Sequence, residues 1–230
     1  MKSVAHINRF IAGRIMLKLS ADGMVIENSR VVAHRVTSIE RSKMAAVMGI
    51  IAHQTGSSTE NSTLASYKQP GANGAHFLIS KTGVIYQTAS IMYRTNHIGP
   101  IRARCLAEVK CTPSENSAYK KMGVTRMHAA EMKKSVPERY PSNSETIGIE
   151  IVGQAFLPAN KPMPKGLSDV QQKRFFNDHS VYEALTGAQQ MSFKYLLEEL
   201  LQTLSLEKAD VFRHPTVSRK NVTEAATAEW

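Results

Sequence analysis

The run Met48-Gly49-Ile50-Ile51-Ala52 is apolar, yet it closes on His53-Gln54-Thr55 and a Gly/Ser-rich turn. A short apolar run bounded by turn residues predicts a buried strand. The strand end is where a sheet presents side chains to a cleft. A second run, Ala209-Asp210-Val211-Phe212-Arg213, closes on His214 in the same way. Two such strands can bring two imidazoles from distant parts of the chain to one place.

The segments between these strands predict the rest of the architecture. A strand is expected over 45–53 and a short helix over 61–68, stopped by Pro70 and Gly71. Two strands, 74–80 and 84–90, flank Lys81-Thr82-Gly83 as a hairpin. A long basic stretch, 100–143, carries one expected helix over 118–134. A glycine-bounded strand follows over 146–153, then a Pro/Lys-rich loop over 158–180. The clearest helix covers 186–204, with Leu196, Leu197, Leu200, Leu201 and Leu204 on its apolar face and Thr186 with Gln189 as a capping box. Strands alternating with helices, and a hairpin among them, predict a single α/β domain with a mixed central sheet flanked by helices. Residues 1–44 read as a separate lead. A hairpin turns at Asp22-Gly23, and Val31-Val32-Ala33 could add a strand to the sheet. Residues 45–230 are the expected functional domain.

The chain has 230 residues, 42% of them hydrophobic, which is enough for one sizeable core. No segment approaches the roughly 20 apolar residues of a membrane span. The net charge of +10 favours a polyanionic partner: nucleic acid, an acidic membrane face or an acidic cell-wall polymer. Aromatic residues are only 7% of the chain, and no basic run is interleaved with them, so nucleic acid has no support beyond charge. The opening residues lack the pattern of a secretory signal. The expectation is a chain made in the cytoplasm that reaches any outer target by another route. Cys105 and Cys111 admit two readings: free thiols on a surface loop, or a short disulfide loop formed after export.

A lone histidine serves packing or solvation more often than chemistry, and His6 and His34 are read that way. His53 and His214 share the strand-end context. A catalytic zinc takes three protein ligands and keeps one position open. Glu224, ten positions after His214, is the candidate third ligand; the alternative is that it caps a C-terminal helix. Lys220, between them, could stabilise an oxyanion or simply be solvated. Glu150 lies inside the apolar strand Ile147-Gly148-Ile149-Glu150-Ile151, where a carboxylate is costly unless its side lines a polar cleft. Such a residue could serve as a general base or acid.

The stretches IIAHQTGSS, NGAHFLISKTGVIYQTA, RTNHIG, TIGIEIVG, LTGAQQMSFKYLLEELL and FRHPTVSRKNVTEA occur in one fixed order. In this order and spacing, over roughly residues 45–228, the chain resembles the zinc-dependent N-acetylmuramoyl-L-alanine amidases related to phage lysozyme-type amidases and peptidoglycan recognition proteins. The resemblance implies Zn2+ held by His53 and His214. The family's third ligand is a cysteine or aspartate in the tail, where this chain offers Glu224 instead. The helper tyrosine that some members carry is replaced here by Ala75. Glu150 matches the glutamate that other members use, and Lys220 matches the tail lysine. His97, Asn73, Thr55 and His76 are implied as residues of the substrate groove, with a structural role as the alternative for His76. The implied reaction is cleavage of the amide joining N-acetylmuramic acid to the L-alanine of a stem peptide. Implied partners are peptidoglycan and, for an antibacterial type VI secretion effector, an immunity protein or a secretion component, with action in a target cell's periplasm or on the wall. A phage endolysin, a cytoplasmic recycling amidase for anhydro-muropeptides and a non-catalytic peptidoglycan-binding module are the rival readings.

Overall fold

The computed structural model describes residues 16–230. His6 and the first residues of the expected N-terminal hairpin lie outside that range. The strands are β1 (Val31–Ala33), β2 (Glu40–Lys43), β3 (Gly49–Gly56), β4 (Phe77–Ile79), β5 (Ile85–Gln87), β6 (Tyr93–Thr95), β7 (Thr146–Phe156), β8 (Val181–Tyr182) and β9 (Val211–Arg213). The helices are α1 (Glu60–Tyr67), α2 (Arg104–Ala107), α3 (Pro113–Lys120), α4 (Val124–Glu131), α5 (Asp169–His179), α6 (Gly187–Thr203) and α7 (His214–Val217).

The main sheet runs β1-β5-β4-β7-β3-β9, with β8 paired to the far end of β7, while β2 and β6 form a separate two-stranded ribbon. β4, β7, β3 and β9 are mutually parallel, and the β4–β5 hairpin makes the sheet mixed. This is the expected single α/β domain with a mixed central sheet. β1, from the N-terminal lead, pairs in parallel with β5 at the sheet edge. No described helix is long and apolar enough to cross a membrane.

Side chains alternate across a strand, and this alternation separates the core from the cleft. Ile147, Ile149 and Ile151 of β7, with Ile50 and Ala52 of β3, join Phe193, Leu196, Leu197 and Leu200 of α6 in the main core. Burying each large aliphatic side chain there contributes about 1.5–3 kcal/mol. The opposite face carries smaller apolar clusters, such as Ile51 with Ile98, Ile101, Tyr140 and Val217. The intervening residues Thr146, Gly148 and Glu150 of β7 point to this second face.

Two expectations about loops are corrected. The stretch 158–180 is not loop throughout: α5 starts at a Ser168/Gln171 capping box. The helix was hidden because none of its residues is buried, so it has no apolar stripe to detect. The single helix expected over 118–134 is two helices, split where Gly123 caps α4. The surrounding segment is pinned by Glu131, fully buried, which accepts hydrogen bonds from the Tyr119 hydroxyl and the Arg104 amide and pairs with Lys134 at 2.9 Å. The structure joins Cys105 and Cys111 in a disulfide.

Gly153 is required by close approach. A Cβ there would lie 2.1 Å from Nε2 of Gln54 and 2.8 Å from its Cγ. Gln54 cannot swing aside cheaply, because its amide donates to the Glu183 carbonyl at 2.8 Å and accepts from the Ala225 amide at 3.1 Å. Gly153→Ala is therefore expected to destabilise the protein by about 1–3 kcal/mol, read as a fall in the chemical-denaturation midpoint. An unchanged midpoint would mean that Gln54 does not tie the tail to the sheet.

Candidate active site

Strand register builds the site. His53 on β3 pairs with Glu150 on β7, and Ala52 pairs with Arg213 on β9, which brings His214 level with His53 on the other side. His53 and Glu150 thus stand level within β3 and β7, which run on to Gly56 and Phe156, and His214 follows directly after the end of β9; the strand expected to close on His53 continues three residues past it. The cleft they line holds about 430 Å³.

Glu224 completes the group from a turn in the tail. The expected alternative of a C-terminal helix is not what forms; residues 222–227 are turns. The tail is tied down by Arg213, whose guanidinium donates to the carbonyls of Ala225 and Ala228 at 3.0 and 2.6 Å. Asn221 adds a hydrogen bond to the Ser180 carbonyl at 2.6 Å. So held, Glu224 Oε1 lies 2.9 Å from His214 Nδ1 and 3.4 Å from His53 Nδ1. The two Nδ1 atoms are 2.9 Å apart. All three residues are buried.

This donor set suits a metal cation. Two Nδ1 atoms in mutual contact cannot both carry a proton, so at least one lone pair faces the other ring. Glu224 Oε2 is buried without a hydrogen-bond partner among the described residues. Zinc bonds of about 2.0–2.1 Å in a tetrahedron set ligand atoms roughly 3.3 Å apart, close to the separations here. His53, His214 and Glu224 are the group among the described residues whose donor atoms converge in this way.

The other nitrogen of His53 is also fixed. His53 Nε2 lies 2.9 Å from His97 Nδ1, and His97 Nε2 lies 3.0 Å from Thr146 Oγ1. The Thr146 hydroxyl donates to the Ser142 carbonyl at 2.8 Å, which leaves its oxygen to accept from His97. Protons then sit on Nε2 of both rings, and Nδ1 of His53 is left free for a cation. Asn143 holds His97 in turn, accepting from the amides of His97 and Ile98 at 3.0 Å each. His97 stands against Gly148, where a Cβ would come within 2.8 Å of the ring.

Electrostatics set Glu150 apart from Glu224. Burial pushes the Glu150 carboxyl up to about 8; the nearby Glu224 charge adds to the rise and Lys220 opposes it. Glu150 Oε2 has no hydrogen-bond partner among the described residues. Burial also acts to raise Glu224, but the hydrogen bond from His214, with the His53 ring beside it, outweighs burial and holds this carboxyl well below the usual range. Burial, reinforced by His214, pushes His53 down to about 4.

The remaining expected residues divide. Thr55, Asn73, His97 and Lys220 line the cleft. The Thr55 hydroxyl is occupied in closing the strand ends, accepting from the Gly153 and Ser57 amides. Lys220 is 3.7 Å from Glu224 Oε2, with its side chain 45% exposed at the cleft. His76 takes its structural alternative: it is fully buried, with Nδ1 accepting from the Gly148 amide and Nε2 donating to the Tyr93 carbonyl, so it supports the sheet and does not reach the groove. Tyr67 of α1 also lines the cleft and was not anticipated. Nothing in its local sequence signals this, because it reaches the cleft through helix packing.

Fold and cleft together define an α/β protein with a buried His–His–carboxylate centre beside a second, separately tuned carboxylate. The chain belongs to the N-acetylmuramoyl-L-alanine amidase family, whose model matches residues 43–226. Solved structures similar to it include a selenomethionyl AmpD derivative, at 16% identity over 88% of this chain and 89% of that one, with a TM-score of 0.49. The N-acetylmuramoyl-L-alanine amidase LysC from Clostridium intestinale URNW is similar at 15% identity over 82% and 85%, with a TM-score of 0.41. AmiD from E. coli, solved with anhydro-N-acetylmuramic acid-L-Ala-D-gamma-Glu-L-Lys, is similar at 14% identity over 77% and 52%, with a TM-score of 0.46. No curated protein matches the chain.

Gly148→Ala is expected to drive the His97 ring off His53 and to lower stability by about 1–3 kcal/mol. A crystal structure of the variant with the His53–His97 contact intact would contradict this account of the glycine.

Proposed function

We propose that this chain hydrolyses the amide between the lactyl group of N-acetylmuramic acid and the L-alanine of a peptidoglycan stem peptide. The observation that carries the reading is the meeting of His53, His214 and Glu224 beside half-buried Glu150, level with His53 on the neighbouring parallel strand, in a chain of the amidase family. His53, His214 and Glu224 would hold a zinc ion. When bound, zinc supplies Lewis acidity, which acidifies water and polarises a carbonyl.

The chain's own residues divide the remaining work. Glu150 is the acid–base group: its buried carboxyl takes a proton from the attacking water and returns it to the leaving amine of L-alanine. Lys220, at the cleft wall, offers a cation to the oxygen of the attacked carbonyl as charge develops there. His97 and Thr146 keep the proton of His53 on Nε2 and its Nδ1 lone pair on the metal side. Thr55 and Asn73 shape the groove. An acid–base group buried next to the donor set supports catalysis over a module that only binds.

We assign the catalytic unit to residues 45–230 and treat 1–44 as an extension of it. We place its action on the cell wall. The Cys105–Cys111 disulfide suits an oxidising compartment, and the +10 charge suits an acidic polymer. Delivery as an antibacterial effector with an immunity partner, or as an endolysin, are two routes to that target. Lysis when the protein is directed to the periplasm of a test bacterium, and not when it is kept in the cytoplasm, is expected. Altered cytoplasmic anhydro-muropeptide pools without lysis would favour the recycling role instead.

Mass spectrometry of digested peptidoglycan is expected to show glycan freed of stem peptide, and a zinc chelator should abolish it. Glu150→Gln should reduce turnover at least a hundredfold while zinc is retained. Glu150→Gln at wild-type rate would remove Glu150 from the mechanism. Thr146→Val keeps the side-chain shape but removes the hydroxyl. It should weaken zinc binding about 10- to 100-fold in chelator competition, and Thr146→Ser should restore it. Equal affinities in all three proteins would mean that the His53–His97–Thr146 chain does not tune the metal site.

A further inference from the structure

The segment between β7 and α6 lies outside the motifs that carry the family resemblance. It folds as α5 and β8 and packs beside the irregular segment 219–221. Between them runs a groove of about 550 Å³, lined among others by Lys173, Arg174, Asp178, Tyr182, Arg219 and Lys220. Arg219 and Lys220 also line the catalytic cleft, so the groove opens directly beside it.

The charges in this groove are unbalanced. Four cations share it with one carboxylate, Asp178. Arg174 meets Asp178 only at 3.8 Å, and Lys220 meets Glu224 at 3.7 Å. Lys173 and Arg219 have no ion-pair partner among the described residues. Exposed cations gathered on one wall attract an anion from solution.

We propose that this groove holds the stem peptide by its carboxylates, as the arm of the substrate site that receives the peptide half. The inference rests on the amidase reading and adds a location and a charge to it. The substrate's own chemistry gives the direction. The lactyl carboxyl of N-acetylmuramic acid is consumed in the scissile amide, so the sugar half is uncharged there. The peptide half keeps free carboxylates on its side chains and at its end. A cationic arm on one side of the cleft therefore orients the two halves, with the peptide running past Lys220 toward α5.

The test uses two muramyl peptides, one with free peptide carboxylates and one with all of them amidated. Hydrolysis gives KM and kcat, and calorimetry gives Kd. Lys173→Gln with Arg174→Gln is expected to raise KM and Kd about three- to tenfold for the free acid, since each exposed ion pair is weak. The kcat should hold, and the amidated peptide should bind wild type and variant alike. Asp178→Asn should shift both constants the opposite way, and added salt should erase the differences. Equal constants for both peptides in every protein would overturn the proposal while leaving the amidase reading intact. Loss of binding to a polyphosphate probe, with the muramyl peptide constants unchanged, would assign the groove to an anionic wall polymer and also overturn it. If wild type hydrolyses neither peptide, the amidase reading falls, and the Kd values still decide the groove.

Discussion

Because β3 pairs in parallel with β7 on one side and with β9 on the other, His53 and Glu150 stand level with each other and His214 follows beside them at the end of β9. This register decides which residues can meet. A slip of one residue would turn His53 into the core and place Ala52 in the cleft. The isoleucines of β7 and β3 prevent the slip, since their burial against α6 holds only in the observed register. The geometry of the site is thus maintained by apolar contacts on the face of the sheet away from it.

The site itself works against stability. Two imidazoles and a carboxylate are buried together beside half-buried Glu150, and Oε2 of both Glu150 and Glu224 lacks a hydrogen-bond partner among the described residues. Each such group costs free energy through lost hydration. The two carboxylates answer this in opposite ways. Glu224 is held low by the hydrogen bond from His214 and the His53 ring beside it despite its burial, whereas Glu150 has burial without such a bond and is raised to about 8. Environments that drive like groups apart give one residue a structural charge and the other a proton to move.

Much of this was legible in the sequence, and the reason is local. His53 and His214 each end an apolar run, and Glu150 interrupts one; these are strong contrasts over five or six residues. The mixed α/β class followed from the same runs. What stayed hidden depended on long-range contact. His97 was read as a groove residue, but its bond to His53 spans 44 positions and its support from Thr146 spans 49. His76 resembled a groove residue by position, yet the backbone of Gly148 and Tyr93 takes both its nitrogens. Helix α5 escaped because none of its residues is fully buried, and only its Ser168/Gln171 box marked it.

Glu224 shows how the two kinds of information combine. Its spacing from His214 made it a candidate, but a turn has no periodicity that fixes where a side chain points. The direction comes from anchors elsewhere in the chain: Gln54 on β3 accepts from the Ala225 amide, and Arg213 on β9 donates to the carbonyls of Ala225 and Ala228. Both anchors stand next in sequence to a site histidine, Gln54 after His53 and Arg213 before His214. Alternation along β3 sends Gln54 to the opposite face from His53, and Arg213 ends β9 just before the chain turns into α7 at His214. The strands that present the imidazoles toward the cleft therefore grip, from behind, the turn that delivers the carboxylate.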